Sequence, residues 1–167
     1  YKKFNNNFKD FYQSYFLKQK DNTPFIDAKI AISKDYLTIN KKAKWITNSL
    51  SRRRTHLIRS EYDAIISTSK SINKDNSLLN CRLAGFNSNK PDLIIIDLML
   101  KIKTNLSLFK NINKRKILIV TSISDSKKIS YLRKKGVKII LIESLDSKKD
   151  FINLFKILKK YAYNRIL

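Results

Sequence analysis

Short apolar segments that alternate with amphipathic helices restrict the fold more than any other feature of this chain. Residues 93–96, 117–120 and 137–142 consist almost entirely of Ile, Leu and Val. Buried strands without polar alternation are typical of parallel sheets whose two faces are both covered by helices. The pattern therefore predicts an α/β fold with three layers, in which a mostly parallel central sheet has helices on both faces.

The helices between and after these strands have recognisable ends. Ser124 or Asp125 is the predicted cap of a helix that stops at Gly136, since glycine is favoured just after a helix C-terminus. Asp146 or Ser147 is the predicted cap of the next helix. That helix keeps an apolar stripe at Phe151, Leu154, Phe155, Leu158 and Ala162, and residues 165–167 then open another strand.

The first half of the chain carries weaker patterns. Isoleucines and alanines alternate with polar residues over 26–33, which predicts a strand with one apolar face. Thr47, Asn48 and Ser49 are N-cap candidates for a helix over about 49–60. Residues 62–68 are predicted to be a buried strand, and residues 70–91 a long loop with at most a helical turn.

Six aromatic residues mark the N-terminal segment. They share one side of a predicted helix, which we interpret as a packing face. Lysines interleave with them, so a stacking platform for nucleic acid is the alternative. The aromatic residues are Phe4, Phe8, Phe11, Tyr12, Tyr15 and Phe16.

Charge and composition exclude several classes. The net charge is +23, but the lysines are spread along the whole chain, so we expect no nucleic-acid partner. The single cysteine, Cys81, excludes an internal disulfide and favours a reducing, cytoplasmic location. No apolar run approaches the ~20 residues of a membrane span, so no membrane association is predicted.

The inventory of reactive residues offers no catalytic set. One histidine and one cysteine cannot form a recurrent zinc site, so no metal is predicted. Two glycines exclude a glycine-rich phosphate loop. His56 is interpreted as a packed or capping residue, and no catalytic residue is assigned. From the residues alone, the chain is an α/β domain with a candidate anion site near Arg59 and Arg82.

A series of short motifs carries a family resemblance over residues 22–167. Each motif is weak alone, but their order and spacing resemble the reductase domain of bifunctional riboflavin-biosynthesis deaminase/reductase proteins. The motifs are Lys29-x-Ala31-x-Ser33-x-Asp35, Trp45-Ile46-Thr47, His56-x-x-Arg59, Asp63-Ala64-Ile65, Asp75-Asn76 and Arg82.

The resemblance implies a dihydrofolate-reductase-like fold. It implies NADPH-dependent reduction of a phosphorylated pyrimidine, 5-amino-6-(5-phosphoribosylamino)uracil, in which the ribosyl group becomes a ribityl group. It also implies a homodimer. Ala31, Trp45, Ser71 and Asp75 would contact the cofactor. Arg59, Leu79 and Arg82 would face the substrate.

The chain also departs from the family pattern. Tyr36, Ala43, Ser77 and Leu98 replace residues usual in the family. Of these, Tyr36, Ala43 and Leu98 suggest a non-catalytic relic as one alternative. The net charge of +23 and the aromatic–lysine helix suggest a basic nucleic-acid-binding module as another. The family's Val-Glu-Gly-Gly turn would begin after Leu167, so we expect a domain incomplete at its C-terminus, with weak NADPH binding and little turnover. Residues 1–21 resemble the linker helix that follows a deaminase domain.

Overall fold

The fold is an α/β sandwich around one parallel sheet. The computed structural model describes residues 12, 22–38, 45–86 and 90–167. The strands are β1 Phe25–Ile26, β2 Ala64–Thr68, β3 Asp92–Ile96, β4 Ile117–Thr121, β5 Lys138–Leu141 and β6 Arg165–Ile166. The helices are α1 Ser49–Ser60, α2 Ser69–Asp75, α3 Lys127–Lys134 and α4 Lys148–Lys160, with a 3₁₀ helix at Ser107–Lys114.

All strand pairs in the described part of the chain are parallel. The order across the sheet is β1-β6-β2-β3-β4-β5. Strands β3 and β4 are adjacent at the centre, and every residue from Ile117 to Thr121 is buried. The predicted mostly parallel sheet is confirmed.

Alternate residues of the central strands supply two separate cores. Leu93 and Ile95 of β3 pack on one face with residues from α2, α3 and the segment 100–109. Ile94 packs on the other face with Leu154 and Leu158 of α4. Burying each such side chain contributes roughly 1.5–3 kcal/mol. The sheet therefore needs apolar residues at successive positions, which explains the unbroken apolar segments.

Side-chain caps set the helix starts. The Asn48 side chain accepts a hydrogen bond from the Ser51 amide at the start of α1, and this predicted helix is confirmed. Ser147 and Asp150 form a reciprocal capping box on α4. The predicted cap of α3 was wrong: Ser126, with an extended backbone, caps the Ile129 amide, in place of Ser124 or Asp125.

The predicted strand over 26–33 was wrong beyond Ile26. Within the described ranges, strand β1 pairs only with β6, and the Asp27 amide makes the last bond of that pair, to the Ile166 carbonyl at 2.9 Å. Ile30 and Ile32 are 69% and 42% exposed. Alternating apolar side chains indicate an apolar face, but a strand also needs a neighbouring strand whose backbone can pair with its N–H and C=O groups.

The segment 70–91 is more ordered than the predicted loop. It begins inside α2, a seven-residue helix capped by Thr68. No further helix or strand occurs in its described part, which includes residues 76–86. The buried Ile72 anchors α2 to the core, and that contact outweighs the weak helical periodicity of the sequence.

Two further predictions concern the N-terminal aromatic helix and the absence of a membrane span. The aromatic helix predicted over 4–16 lies outside the described residues, apart from Tyr12, which is helical. None of the helices in the described ranges has both the length and the apolar character needed to cross a bilayer.

Candidate functional site

One face of α1 holds an otherwise irregular segment in place. Arg52, His56 and Arg59 are spaced by four and three residues, so they share that face. Nδ1 of His56 lies 3.0 Å from the Asn80 carbonyl oxygen, and Nη1 of Arg59 donates to the same oxygen at 3.3 Å. Because a carbonyl only accepts, Nδ1 of His56 carries the hydrogen. This confirms the interpretation of His56 as a packed residue that bonds to backbone.

Arg115 holds the same segment from the other side. Its Nη1 donates to the carbonyls of Leu79 at 2.8 Å and Pro91 at 3.2 Å, and its Nη2 donates to Leu78. Burial lowers the pKa of Arg115 to about 10, with Asp92 opposing that shift, so the guanidinium stays charged at neutral pH. Leu79 has a φ of 48°, a left-handed conformation that side chains rarely adopt.

Four basic side chains gather beside this segment: Lys29, His56, Arg59 and Arg82, which we call the basic cluster. Burial lowers the pKa of Lys29, of His56 and of Arg59, and mutual repulsion lowers each further. Among the described residues, the only group that raises the pKa of Arg59 is the Cys81 thiol. The cluster is therefore positive without a carboxylate at Arg59 to balance it. An anion there would relieve the repulsion.

Two of the three predicted substrate residues, Arg59 and Arg82, meet at this cluster. Arg59 contacts Asn80, and Arg82 lies close enough to lower the pKa of Arg59. The side chain of Leu79, the third, packs against the hydrophobic core instead. Arg82 is exposed, whereas Cys81 is buried at 1% exposure, as expected for a small filling side chain. The segment carrying Leu79 lies at the amino end of β3, because Arg115 also bonds to Pro91.

The predicted cofactor residues lie elsewhere. Trp45 is 56% exposed near the start of α1, with the Arg52 guanidinium 4.7 Å above its ring. Seven residues separate Arg52 from Arg59, or about 10 Å of helix. Ala31 is half-buried in the irregular segment after β1. Trp45 and the basic cluster thus occupy opposite ends of one helix.

Ser71 and Asp75 are exposed on α2, at the carboxyl end of β2. The Ser71 amide donates to Oγ1 of Thr68 at 3.3 Å. Asn73 holds α2 against the next loop, since its side chain donates to the Lys101 carbonyl and accepts from the Lys103 amide, both at 2.9 Å. The structure does not bring these two residues into contact with the basic cluster.

Sequence reasoning missed Arg115 entirely. It stands between Lys114 and Lys116, just before an apolar strand, so it had to lie at the amino edge of the sheet. That position was the only signal, and it does not say which carbonyls the guanidinium contacts. Lys29 was noticed only as part of a motif.

Comparison with known families decides what kind of domain this is. The family model described as the RibD C-terminal domain matches residues 24–167. The chain belongs to this family. The resemblance found in the motifs is therefore confirmed, and with it the dihydrofolate-reductase-like α/β fold.

A curated relative with similar sequence supports the same assignment. The riboflavin biosynthesis protein RibD of Buchnera aphidicola is 31% identical over 170 residues, covering 93% of this chain and 44% of the relative. The chain thus spans less than half the length of that relative.

Two solved structures share the fold. A Thermotoga maritima protein named as a diaminohydroxyphosphoribosylaminopyrimidine deaminase/5-amino-6-(5-phosphoribosylamino)uracil reductase matches with a TM-score of 0.77 and 20% identity, over 97% of this chain and 43% of that one. The Saccharomyces cerevisiae riboflavin biosynthesis reductase Rib7 matches with a TM-score of 0.66 and 22% identity, over 96% of this chain and 70% of that one.

Proposed function

We propose that this chain is a reductase domain of riboflavin biosynthesis that reduces 5-amino-6-(5-phosphoribosylamino)uracil with NADPH. Its family and the names of its relatives support the reaction class. The observation that carries the proposal is the basic cluster, because a phosphorylated substrate needs such a group of cations. The reaction converts the ribosyl group of the substrate into a ribityl group.

Arg59 and Arg82 are the proposed binding groups for the substrate phosphate. A guanidinium presents its N–H donors in a planar fork that matches two phosphate oxygens. Within the described residues, the Asn80 carbonyl is the only acceptor for Arg59, so most of its donors remain available. Because Arg59 is half-buried, its attraction for a dianion is screened less than at an open surface.

The backbone around Leu79 is the third part of the proposed substrate site. Arg115, His56 and Arg59 fix three consecutive carbonyls, those of Leu78, Leu79 and Asn80. A segment fixed in advance loses little entropy when a ligand binds. We propose that this rigidity sets the distance between Arg59 and Arg82.

The family implies a cofactor of nicotinamide type, and we propose NADPH. The exposed residues fit such a group: Trp45 offers an aromatic face, Ser71 a hydroxyl and Asp75 a carboxylate that can accept from ribose hydroxyls. Ala31 completes the proposed set. The cofactor supplies the hydride when bound, and these residues hold and orient it. A second copy of the chain, as in a homodimer, is proposed as the partner.

The test of the proposal replaces Arg59 in the full-length protein by Lys and by Gln. Arg54, exposed on the same helix, provides the matched control Arg54→Gln. Losing a charged hydrogen-bond pair costs about 1.5–3 kcal/mol, so Arg59→Gln should lower kcat/KM about 10- to 100-fold, mainly through KM. Arg59→Lys should recover part of the loss.

Steady-state NADPH oxidation at varied substrate concentration measures these changes. If Arg54→Gln lowers kcat/KM as much as Arg59→Gln, the substrate responds to overall charge and the proposed site is wrong. If wild-type protein oxidises no NADPH with this substrate, the proposed reaction is wrong.

A further inference from the structure

One arginine near the start of α1 holds two residues of the segment that leads into the helix. Arg52 is the fourth residue of α1, and its backbone amide donates to the carbonyl of the cap residue Asn48 at 3.2 Å. Long side chains of a helix point back toward its N-terminus, so the Arg52 guanidinium lies beside the residues that precede the cap. There it contacts both Trp45 and Thr47.

The contact with Thr47 fixes the backbone of this segment. Nη1 of Arg52 donates to the Thr47 carbonyl oxygen at 2.5 Å. Residues 45–48 belong to no helix or strand, so no ladder of backbone hydrogen bonds holds them. A hydrogen bond from a charged donor is stronger than one from a neutral donor, and Arg52 is half-buried. Arg52 therefore sets the path of the chain just after Trp45.

The contact with Trp45 fixes the ring itself. The guanidinium carbon of Arg52 lies 4.7 Å from the centroid of the ring, within the ~6 Å range of a cation–π contact. A guanidinium is planar and can stack on an indole, whereas an ammonium group cannot. The cation covers one face of the ring, yet Trp45 remains 56% exposed. The indole is therefore both held and accessible.

An accessible ring with a fixed orientation is a preformed surface for a flat ligand. Tryptophan offers a large contact area, and little entropy is lost on binding when the ring is already in place. The basic cluster, proposed to hold the substrate phosphate, lies about 10 Å further along α1. The reacting ring of the cofactor must come close to that substrate. We therefore expect the nicotinamide beside Trp45.

We propose that Arg52 is a positioning residue for the cofactor. It holds the Trp45 indole in the orientation in which that ring packs against the nicotinamide. The assignment of the nicotinamide to Trp45 rests on the proposed function, whereas the hold of Arg52 on Trp45 does not. Arg52 acts through Trp45 and needs no contact with the cofactor. In this it differs from Arg59, whose guanidinium is proposed to bind the substrate directly.

Intrinsic fluorescence tests the hold on the ring without any ligand. Trp45 is the only tryptophan of the 167-residue sequence, and spectra of Trp45→Phe identify its signal in the full-length protein. Arg52→Met keeps a long side chain but removes its charge and its donors. It should increase acrylamide quenching of Trp45 and lower its fluorescence anisotropy, because the ring is no longer held. Arg52→Lys should give intermediate values, since an ammonium group keeps the charge but not the planar stack.

Calorimetric titration with NADPH tests the effect on the cofactor. Arg52→Met should weaken NADPH binding about 3- to 10-fold, the change expected when one cation–π contact and one hydrogen bond no longer order the segment in advance. Arg52→Lys should recover part of that loss. Arg53→Met is the matched control, because Arg53 is exposed at the next position of α1. It should alter neither the fluorescence nor the affinity, and thermal unfolding checks that every variant is folded.

The outcomes separate this proposal from the proposed function. Unchanged Trp45 fluorescence in Arg52→Met would overturn the proposal, whatever the affinity for NADPH. Equal NADPH affinity of wild-type protein and Trp45→Phe would also overturn it, since the ring would then make no contact with the cofactor. A wild-type protein that binds no NADPH would overturn the proposed function and the assignment of the nicotinamide. A more mobile Trp45 in Arg52→Met would even then support the hold of Arg52 on the ring.

Discussion

Replacing Asp97 by Asn should lower the stability of the protein more than any substitution on its surface. The Asp97 side chain is 4% exposed, and its Oδ1 accepts hydrogen bonds from the Ser69 hydroxyl and the Lys101 amide, both at 2.8 Å. Its Oδ2 accepts from the Ile102 amide at 2.7 Å. Asparagine has a similar shape but only one accepting oxygen. Its amide nitrogen must therefore face a backbone N–H, donor against donor.

The size of the effect follows from these contacts. At least one hydrogen bond to a charged group is lost, and a buried amide is left without an acceptor, since Ile102 has 0% exposure. Together these changes should lower the free energy of unfolding by about 2–4 kcal/mol. For a chain of this length, that corresponds to a fall in Tm of roughly 5–15 °C.

Thermal unfolding followed by circular dichroism measures the change. Asp125→Asn is the control, because Asp125 is exposed and its replacement should alter stability by less than about 0.5 kcal/mol. Ser69→Ala, which removes a single bond to the carboxylate, should cost about 1 kcal/mol. If Asp97→Asn unfolds within 1 kcal/mol of the Asp125→Asn control, where about 2–4 kcal/mol is expected, the carboxylate does not hold the loop as described.

Three further changes test other parts of the structure. Arg115→Met removes the donor of three backbone carbonyls. It should therefore lower the free energy of unfolding by about 2–4 kcal/mol and speed hydrogen exchange of the backbone amides around residues 78–82. Unchanged exchange would contradict this prediction. Ser147→Ala should cost about 1 kcal/mol in chemical denaturation by removing the capping box of α4, and a neutral result would refute the cap. Because the pKa of His56 lies below its ordinary 6.5 in the folded protein, the unfolded chain takes up that proton first, and stability falls as the pH drops below 6.5. His56→Gln should flatten this part of the pH–stability curve, and an unchanged slope would mean that His56 does not contribute.

The central sheet could be predicted because one physical rule determines it. Strands buried on both faces must be apolar at every position, and residues 93–96 and 117–120 satisfy that rule without exception. Helix α1 could be predicted equally well, since its N-cap, Asn48, bonds to the Ser51 amide only three residues further along the chain. These features depend on neighbours in the sequence.

The errors arose where distant residues decide the structure. The pattern over 26–33 gives the correct spacing for a strand, but the length of that strand depends on β6. Within 26–33, β6 pairs only with Ile26. The basic cluster was predicted in part, through Arg59 and Arg82, because cations near a loop suggest an anion. The contacts of Arg115 could not be predicted, since they join residues that are 24 to 37 positions apart in the chain.

The position of β6 has a consequence for how the protein folds. It lies between β1 and β2, and the Asp63 carboxylate fixes it by accepting from the amides of Asn164 at 2.7 Å and Arg165 at 2.9 Å. Strand β1 has no other partner in the described sheet. During synthesis, Phe25 therefore emerges from the ribosome long before its pairing surface exists. The first strand can dock only after β6 has been made, which makes its closure one of the slow, non-local steps of folding.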